Sequence, residues 1–302
     1  MGLVILVVLI VLIAFPAAFI YKFAFTNVRG EFFDSKGTPI HYTVEGKGVP
    51  VILIHGFAVS QDVQWRASGF VRMLRQKYQV ISMDVRGHGL SGAPHGTAAY
   101  GVEMVEDILR LMDHLRLSKA HIVGYSMGGF LVLSFVMRHP DRVLSCTAGG
   151  AGYFSPSEFP DVMQTLPDSL RAGKGMKPIA EYFTHPSGRF ARIAQKLLDC
   201  GVDFYVARRF DAEALASCFE SLSALEGTEE HLRQNTVPVL TVVGTMDPLK
   251  KAVENMVGKT PQHETLFLEG KDHLTACLDK RFRERLLGFL AEHSPAQTLG
   301  PA

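Results

Sequence analysis

A serine stands between two glycines in the stretch "HIVGYSMGGF" (121–130), where an apolar, strand-like run passes straight into a helix-like one. Glycines two residues before and after Ser126 remove side chains that would collide if the backbone turned sharply there. The spacing G-x-S-x-G in that context predicts a strained corner that presents Ser126 as a nucleophile. A nucleophile of this kind needs a base, and the base an orienting acid. "LEGKDHL" (268–274) puts His273 just beyond another strand-like run, and "VVGTMDP" (242–248) does the same for Asp247. "LIHGF" (53–57) ends a further strand with His-Gly-Phe, so the backbone N–H groups of Phe57 and Met127 together would make an oxyanion hole. His55 itself is expected to be structural, because it precedes its turn. Asp272 is a rival to Asp247 by adjacency alone. Consecutive side chains in an extended loop point to opposite sides, which favours Asp247.

These residues need elements that bring them together. Short apolar runs recur at 50–55, 79–84, 120–125, 142–148, 237–244 and 264–270. Runs of this kind suit strands covered on both faces. Ahead of them, "VRGEFFD" and "PIHYTVEG" alternate like paired strands about a Gly37-Thr38-Pro39 turn. Helical patterns separate most of the runs. In "YGVEMVEDILRLMDHLRL" the residues Val102, Val105, Ile108, Leu109, Met112 and Leu115 form one stripe, with Glu106 and Arg110 expected to pair on the polar side. Strands alternating with amphipathic helices predict a doubly wound, mostly parallel α/β sheet with helices on both faces. In such a sheet the carboxyl ends of the strands share one rim, where Ser126, Asp247 and His273 can meet. The alternation stops near Gly149 and resumes near Thr236, which predicts a helical cap over 151–235 between core segments 28–150 and 236–292, with 293–302 as a tail. The cap aromatics Phe154, Phe183, Phe204, Tyr205 and Phe219 are candidate pocket walls, most of them expected to serve packing.

Composition bounds the rest. The 302 residues are 47% hydrophobic and 20% charged, with a formal net charge of +1, which gives no reason to expect nucleic acid as a partner. Cys146, Cys200, Cys218 and Cys277 lack metal-ligand spacing, and His263-Glu264 is followed by Phe267 where a second zinc-binding histidine would stand. Neither a metal nor a cofactor is expected. Residues 3–21 carry no charge and are followed at once by Lys22. That pattern predicts a membrane anchor over residues 1–25, a single pass through the bilayer. Lys22 and Arg29 on its C-terminal side favour a cytoplasmic domain, while a two-residue N-terminal tail leaves either orientation open.

Taken in order, "HGF" (55–57), "DVRGHGLS" (84–91), "GYSMGG" (124–129), "GTMDP" (244–248) and "KDH" (271–273) resemble the α/β-hydrolase family over roughly residues 28–292. The resemblance implies an eight-stranded sheet, a helical cap and a triad of Ser126, Asp247 and His273. It also implies a serine esterase or lipase, similar to monoacylglycerol-lipase-like members. Asp272 departs from the glycine often found before the histidine. A serine nucleophile argues against the epoxide-hydrolase and dehalogenase branches, which use aspartate. The expected chemistry is acyl transfer from a hydrophobic, lipid-like carboxylic ester through an acyl-enzyme. C–C bond hydrolases, amidases, thioesterases and cofactor-free haloperoxidases or perhydrolases use the same triad. Asp84, Arg86 and His88 are expected to hold the neighbouring loop by hydrogen bonds.

Overall fold

The computed structural model describes residues 28–154, 158, 160–184, 189–225, 227 and 229–295. Eight strands form one sheet: β1 (Glu31–Ser35), β2 (Thr38–Glu45), β3 (Pro50–Ile54), β4 (Gln79–Met83), β5 (Ala120–Tyr125), β6 (Val143–Gly149), β7 (Val239–Gly244) and β8 (His263–Leu268). Their spatial order is β1-β2-β4-β3-β5-β6-β7-β8. The β1–β2 and β2–β4 pairs are antiparallel, and every later pair is parallel. The fold is the doubly wound α/β architecture expected from the alternating pattern.

Why the central strands read as unbroken apolar runs follows from the period of two. In β3, Ile52 and Ile54 enter one core, while Val51 and Leu53 enter the other. The first core is closed by α2 (Val102–His114) and α3 (Met127–Arg138), through Met104, Ile108, Leu131 and Phe135. The second is closed by α1 (Phe70–Leu74) and α11 (Lys280–Glu292), through Phe70, Leu74, Phe282 and Leu286. Between β6 and β7 lie α4 (Val162–Arg171), α5 (Lys177–Phe183), α6 (Arg189–Arg209), α7 (Ala212–Glu220) and α8 (Glu229–Gln234), with no strand among the described residues of that stretch. Helices α4 to α7 share a core of their own that includes Val162, Leu166, Leu170, Val206, Leu215 and Phe219, whereas Leu232 of α8 joins the first sheet core. Two further short helices follow β7 and β8: α9 (Lys250–Glu254) and α10 (His273–Leu278).

Two expectations are corrected. The Glu106–Arg110 pair does not form: Glu106 meets His139 at 2.9 Å, while Arg110 meets Glu103 at 2.8 Å and Asp107 at 3.4 Å. Asp107 is buried on the apolar stripe of α2 because Arg86 grips it, and that places a carboxylate within reach of Arg110. The membrane localisation is also overturned. No helix among the described residues is long and apolar enough to cross a membrane, and the segment 3–21 lies outside those residues. The longest described helix, α6, bears Arg192, Lys196, Asp199, Asp203, Arg208 and Arg209, charges too costly for a bilayer core.

Candidate active site

Ser126 occupies the corner between β5 and α3 with φ 55° and ψ −120°, a left-handed conformation that costs a non-glycine residue about 1–3 kcal/mol. The flanking glycines are needed for contact. A Cβ on Gly124 would stand 2.1 Å from the Gly128 carbonyl oxygen, and one on Gly128 would stand 2.1 Å from that of Ile54. The first turn of α3 thus lies directly on the backbone of β3 and β5. The Ser126 N–H donates to the Gly149 carbonyl at 2.7 Å, tying the corner to β6 as well. Met127 opens α3, so its N–H belongs to the positive end of a twelve-residue helix.

His273 and Asp247 arrive from the ends of β8 and β7. The Asp247 carboxylate is buried, with Oδ2 2.7 Å from His273 Nδ1 and Oδ1 accepting the Leu249 N–H at 2.9 Å. Both oxygens are therefore oriented. The Tyr125 hydroxyl donates to the His273 carbonyl at 2.5 Å, holding the backbone under the ring. The ring of Phe183, at the end of α5, stacks on the imidazole with centroids 4.1 Å apart. Asp272 is spent elsewhere. It caps α10, accepting the N–H groups of Leu274 at 3.1 Å and Thr275 at 2.8 Å, while Thr275 Oγ1 accepts the Asp272 N–H in return. Burial opposes its charge, but these bonds hold its carboxyl below the usual range.

The His-Gly-Phe loop is positioned by His55, which is fully buried. Its Nε2 accepts the Val85 N–H at 3.0 Å, so Nδ1 carries the proton and donates to the Gly56 carbonyl at 2.7 Å. Desolvation keeps the ring neutral by lowering its pKa. A trans peptide points its N–H opposite its carbonyl, so drawing the Gly56 carbonyl toward His55 turns the Phe57 N–H the other way. A Cβ on Gly56 would lie 3.4 Å from the Ser126 Cβ, which puts this loop against the serine. The neighbouring "DVRGHGLS" turn is held as expected from its polar side chains. Asp84 contacts His41 at 2.8 Å and accepts the N–H groups of Gln61 and Leu90. Arg86 forks onto Asp107 at 2.7 and 2.6 Å. His88 Nδ1 lies 3.1 Å from the Arg86 carbonyl.

Ser126 opens onto two cavities. The larger, about 380 Å³, also reaches Gln64, Phe183, Asp199, Asp203, His273 and Cys277. The smaller, about 80 Å³, is walled by Met127, Phe130, Phe154, Val162, Phe219 and Leu249. Phe57, Ile179 and Phe183 line both and form the partition between them. Of the aromatics singled out in the sequence, Phe154, Phe183 and Phe219 reach a cavity. Phe204 faces solvent beside Arg208, and Tyr205 packs on Phe210. Gln64, Asp199 and Asp203 were not foreseen. A stripe at Gln195, Asp199 and Asp203 is visible at helical spacing, but spacing alone does not say what it faces.

The alpha/beta hydrolase fold family matches residues 49–276. The chain belongs to that family. Among relatives of this α/β-hydrolase chain, a dihydrolipoyllysine-residue acetyltransferase component of an acetoin cleaving system from Cupriavidus necator is 28% identical over 72% of the chain and 58% of that protein. Its counterpart from Pseudomonas putida is matched over 64% of its length, so the α/β-hydrolase chain spans about six tenths of these two relatives. A 2-hydroxy-6-oxo-2,4-heptadienoate hydrolase from Pseudomonas putida is 27% identical over 84% of the chain and 82% of that protein. The solved structure of an enol-lactonase from Burkholderia xenovorans LB400 superposes with a TM-score of 0.70 at 23% identity, covering 86% of this chain and all of that one.

Proposed function

We propose that this chain is a serine hydrolase that cleaves carboxylic esters of hydrophobic, lipid-like acids or alcohols through an acyl-enzyme. The observation that carries the reading is the 2.7 Å contact of His273 Nδ1 with the buried Asp247 carboxylate, beside a left-handed Ser126 at the head of α3. In this reading Ser126 Oγ attacks the ester carbonyl carbon while His273 Nε2 takes its proton. The oxyanion formed is met by the N–H groups of Phe57 and Met127. Collapse of the tetrahedral intermediate breaks the ester C–O bond, and His273 returns the proton to the departing alcohol. Water then attacks the acyl-enzyme by the same route and releases the acid. Asp247 holds the imidazole tautomer and balances the charge of the imidazolium. The apolar walls of the smaller cavity suit one hydrocarbon arm of such an ester, and the larger cavity the other.

A second reading, C–C bond hydrolysis, is supported by the likeness to the heptadienoate hydrolase. The test is labelling and turnover together. A fluorophosphonate is expected to modify Ser126 stoichiometrically, and Ser126→Ala to abolish both labelling and ester hydrolysis, a loss on the order of 10⁶ in kcat. Labelling without turnover of any ester, combined with cleavage of a vinylogous diketone, would favour the second reading. Ester turnover that survives Ser126→Ala defeats both.

A further inference from the structure

We infer that the site selects against anionic substrates, and that Asp199 and Asp203 are the residues that impose this selection. The inference rests on the hydrolase reading and narrows its substrate class to esters that are uncharged or cationic where they enter the larger cavity. The two aspartates stand one helical turn apart on α6 and line the same cavity as Ser126 and His273. Each is fixed. Asp203 Oδ1 accepts the Met176 N–H at 2.7 Å, and it sits so close to the Gly175 turn that a Cβ there would come within 2.3 Å of the same oxygen. Asp199 Oδ1 accepts from Gln195 Nε2 at 2.7 Å. Both are half-buried, and their neighbours on the wall, Leu198 and Val202, are apolar.

No compensating cation lines either cavity among the described residues: neither wall includes a lysine or an arginine. The one described group on these walls that could carry a positive charge, His273, is already committed to Asp247. A substrate carboxylate entering here would lose water, find no cation to pair with, and face two fixed like charges across a largely apolar wall. A neutral chain meets the apolar wall without that cost, and a cationic group gains from the field.

The test uses three esters of equal length that end in a methyl, a carboxylate or a trimethylammonium group. Their kcat/KM values are measured on the full chain and on Asp199→Asn, Asp203→Asn and the double variant. Asparagine keeps an acceptor for the Met176 N–H, and the Asp199→Asn variant leaves that bond untouched. The anionic ester is expected to be slower than the neutral one by about tenfold or more at low salt. The double variant should bring the anionic-to-neutral ratio within about threefold of unity, with each single variant partway. Equal rates for anionic and neutral esters in the unaltered chain would overturn the inference while leaving the hydrolase reading intact. So would an anionic-to-neutral ratio unmoved by the substitutions. Absence of Ser126-dependent turnover with all three esters would remove the hydrolase reading, and this inference with it.

Discussion

The phenyl ring of Phe183 lies on the imidazole of His273 with centroids 4.1 Å apart and planes only 20° from parallel. Phe183 comes from α5, between β6 and β7, whereas His273 follows β8, so two distant parts of the chain meet at the proposed base. The stack covers one face of the imidazole and limits its rotation about Asp247. Such aromatic pairs contribute about 0.5–1.5 kcal/mol beyond buried area. Phe183→Ala is therefore expected to lower kcat/KM for a short ester by about threefold to tenfold, with Phe183→Tyr within about twofold. Removing the ring also breaches the partition between the cavities, so the alanine variant should gain relative activity on bulkier esters. Unchanged kinetics on a graded ester series would show that the stack is only packing.

The two carboxylates beside His273 should separate in function. Asp247→Asn is expected to lower kcat by about 10³ to 10⁴ with little loss of stability. Asp272→Ala removes the cap of α10 and should cost about 1 kcal/mol of unfolding free energy while changing kcat less than about tenfold. Urea unfolding and ester kinetics on both variants check this. The opposite pattern, with Asp272 essential and Asp247 dispensable, would reassign the triad acid.

Buried histidines set the expected acid sensitivity. Desolvation lowers His88 to about 3 and His121 to about 4, and it lowers His55 as well. In the folded chain these rings stay neutral, whereas in the unfolded chain they bind a proton near pH 6.5. Their contribution to stability is thus complete above pH 6.5 and is lost as the pH falls from 6.5 toward 4 and 3. The slope approaches about 1.4 kcal/mol per pH unit for each group. Urea unfolding at pH 7.5, 6 and 5 should show stability falling with acid, and His88→Asn should flatten the profile. A flat profile for the unaltered chain across this window would contradict the buried neutral assignment.

How much of this was legible in the sequence depends on the range of the interaction. The apolar runs mark their strands because burial on both faces leaves no polar alternation, and strands β3 to β8 fall within a residue or two of those runs. Ser126, Asp247 and His273 are legible because each follows such a run, and a parallel sheet gathers strand ends on one rim. The Phe183 stack, the two cavities and the cavity-facing Asp199 and Asp203 depend on how helices between β6 and β7 settle over that rim. Helical periodicity fixes which residues share a stripe, but not what the stripe meets. Asp107 is an instructive miss: a carboxylate inside an apolar stripe reads as a break until its partner Arg86, on another loop, is seen. Asp272 carried a readable signal, since Asp272 and Thr275 have the spacing of a helix cap.

The left-handed backbone at Ser126 also bears on what selection for robustness would do to this protein. Glycine accepts that conformation without steric cost, whereas alanine keeps the strain and lacks the hydroxyl. Ser126→Gly should therefore be more stable than Ser126→Ala by about 1 kcal/mol and unfold at a higher temperature, with both variants expected to be inert. Heat resistance and reactivity pull this one position in opposite directions. A population screened for survival at high temperature alone would drift toward glycine there and lose its chemistry, so any thermostable variant worth keeping must gain its stability elsewhere.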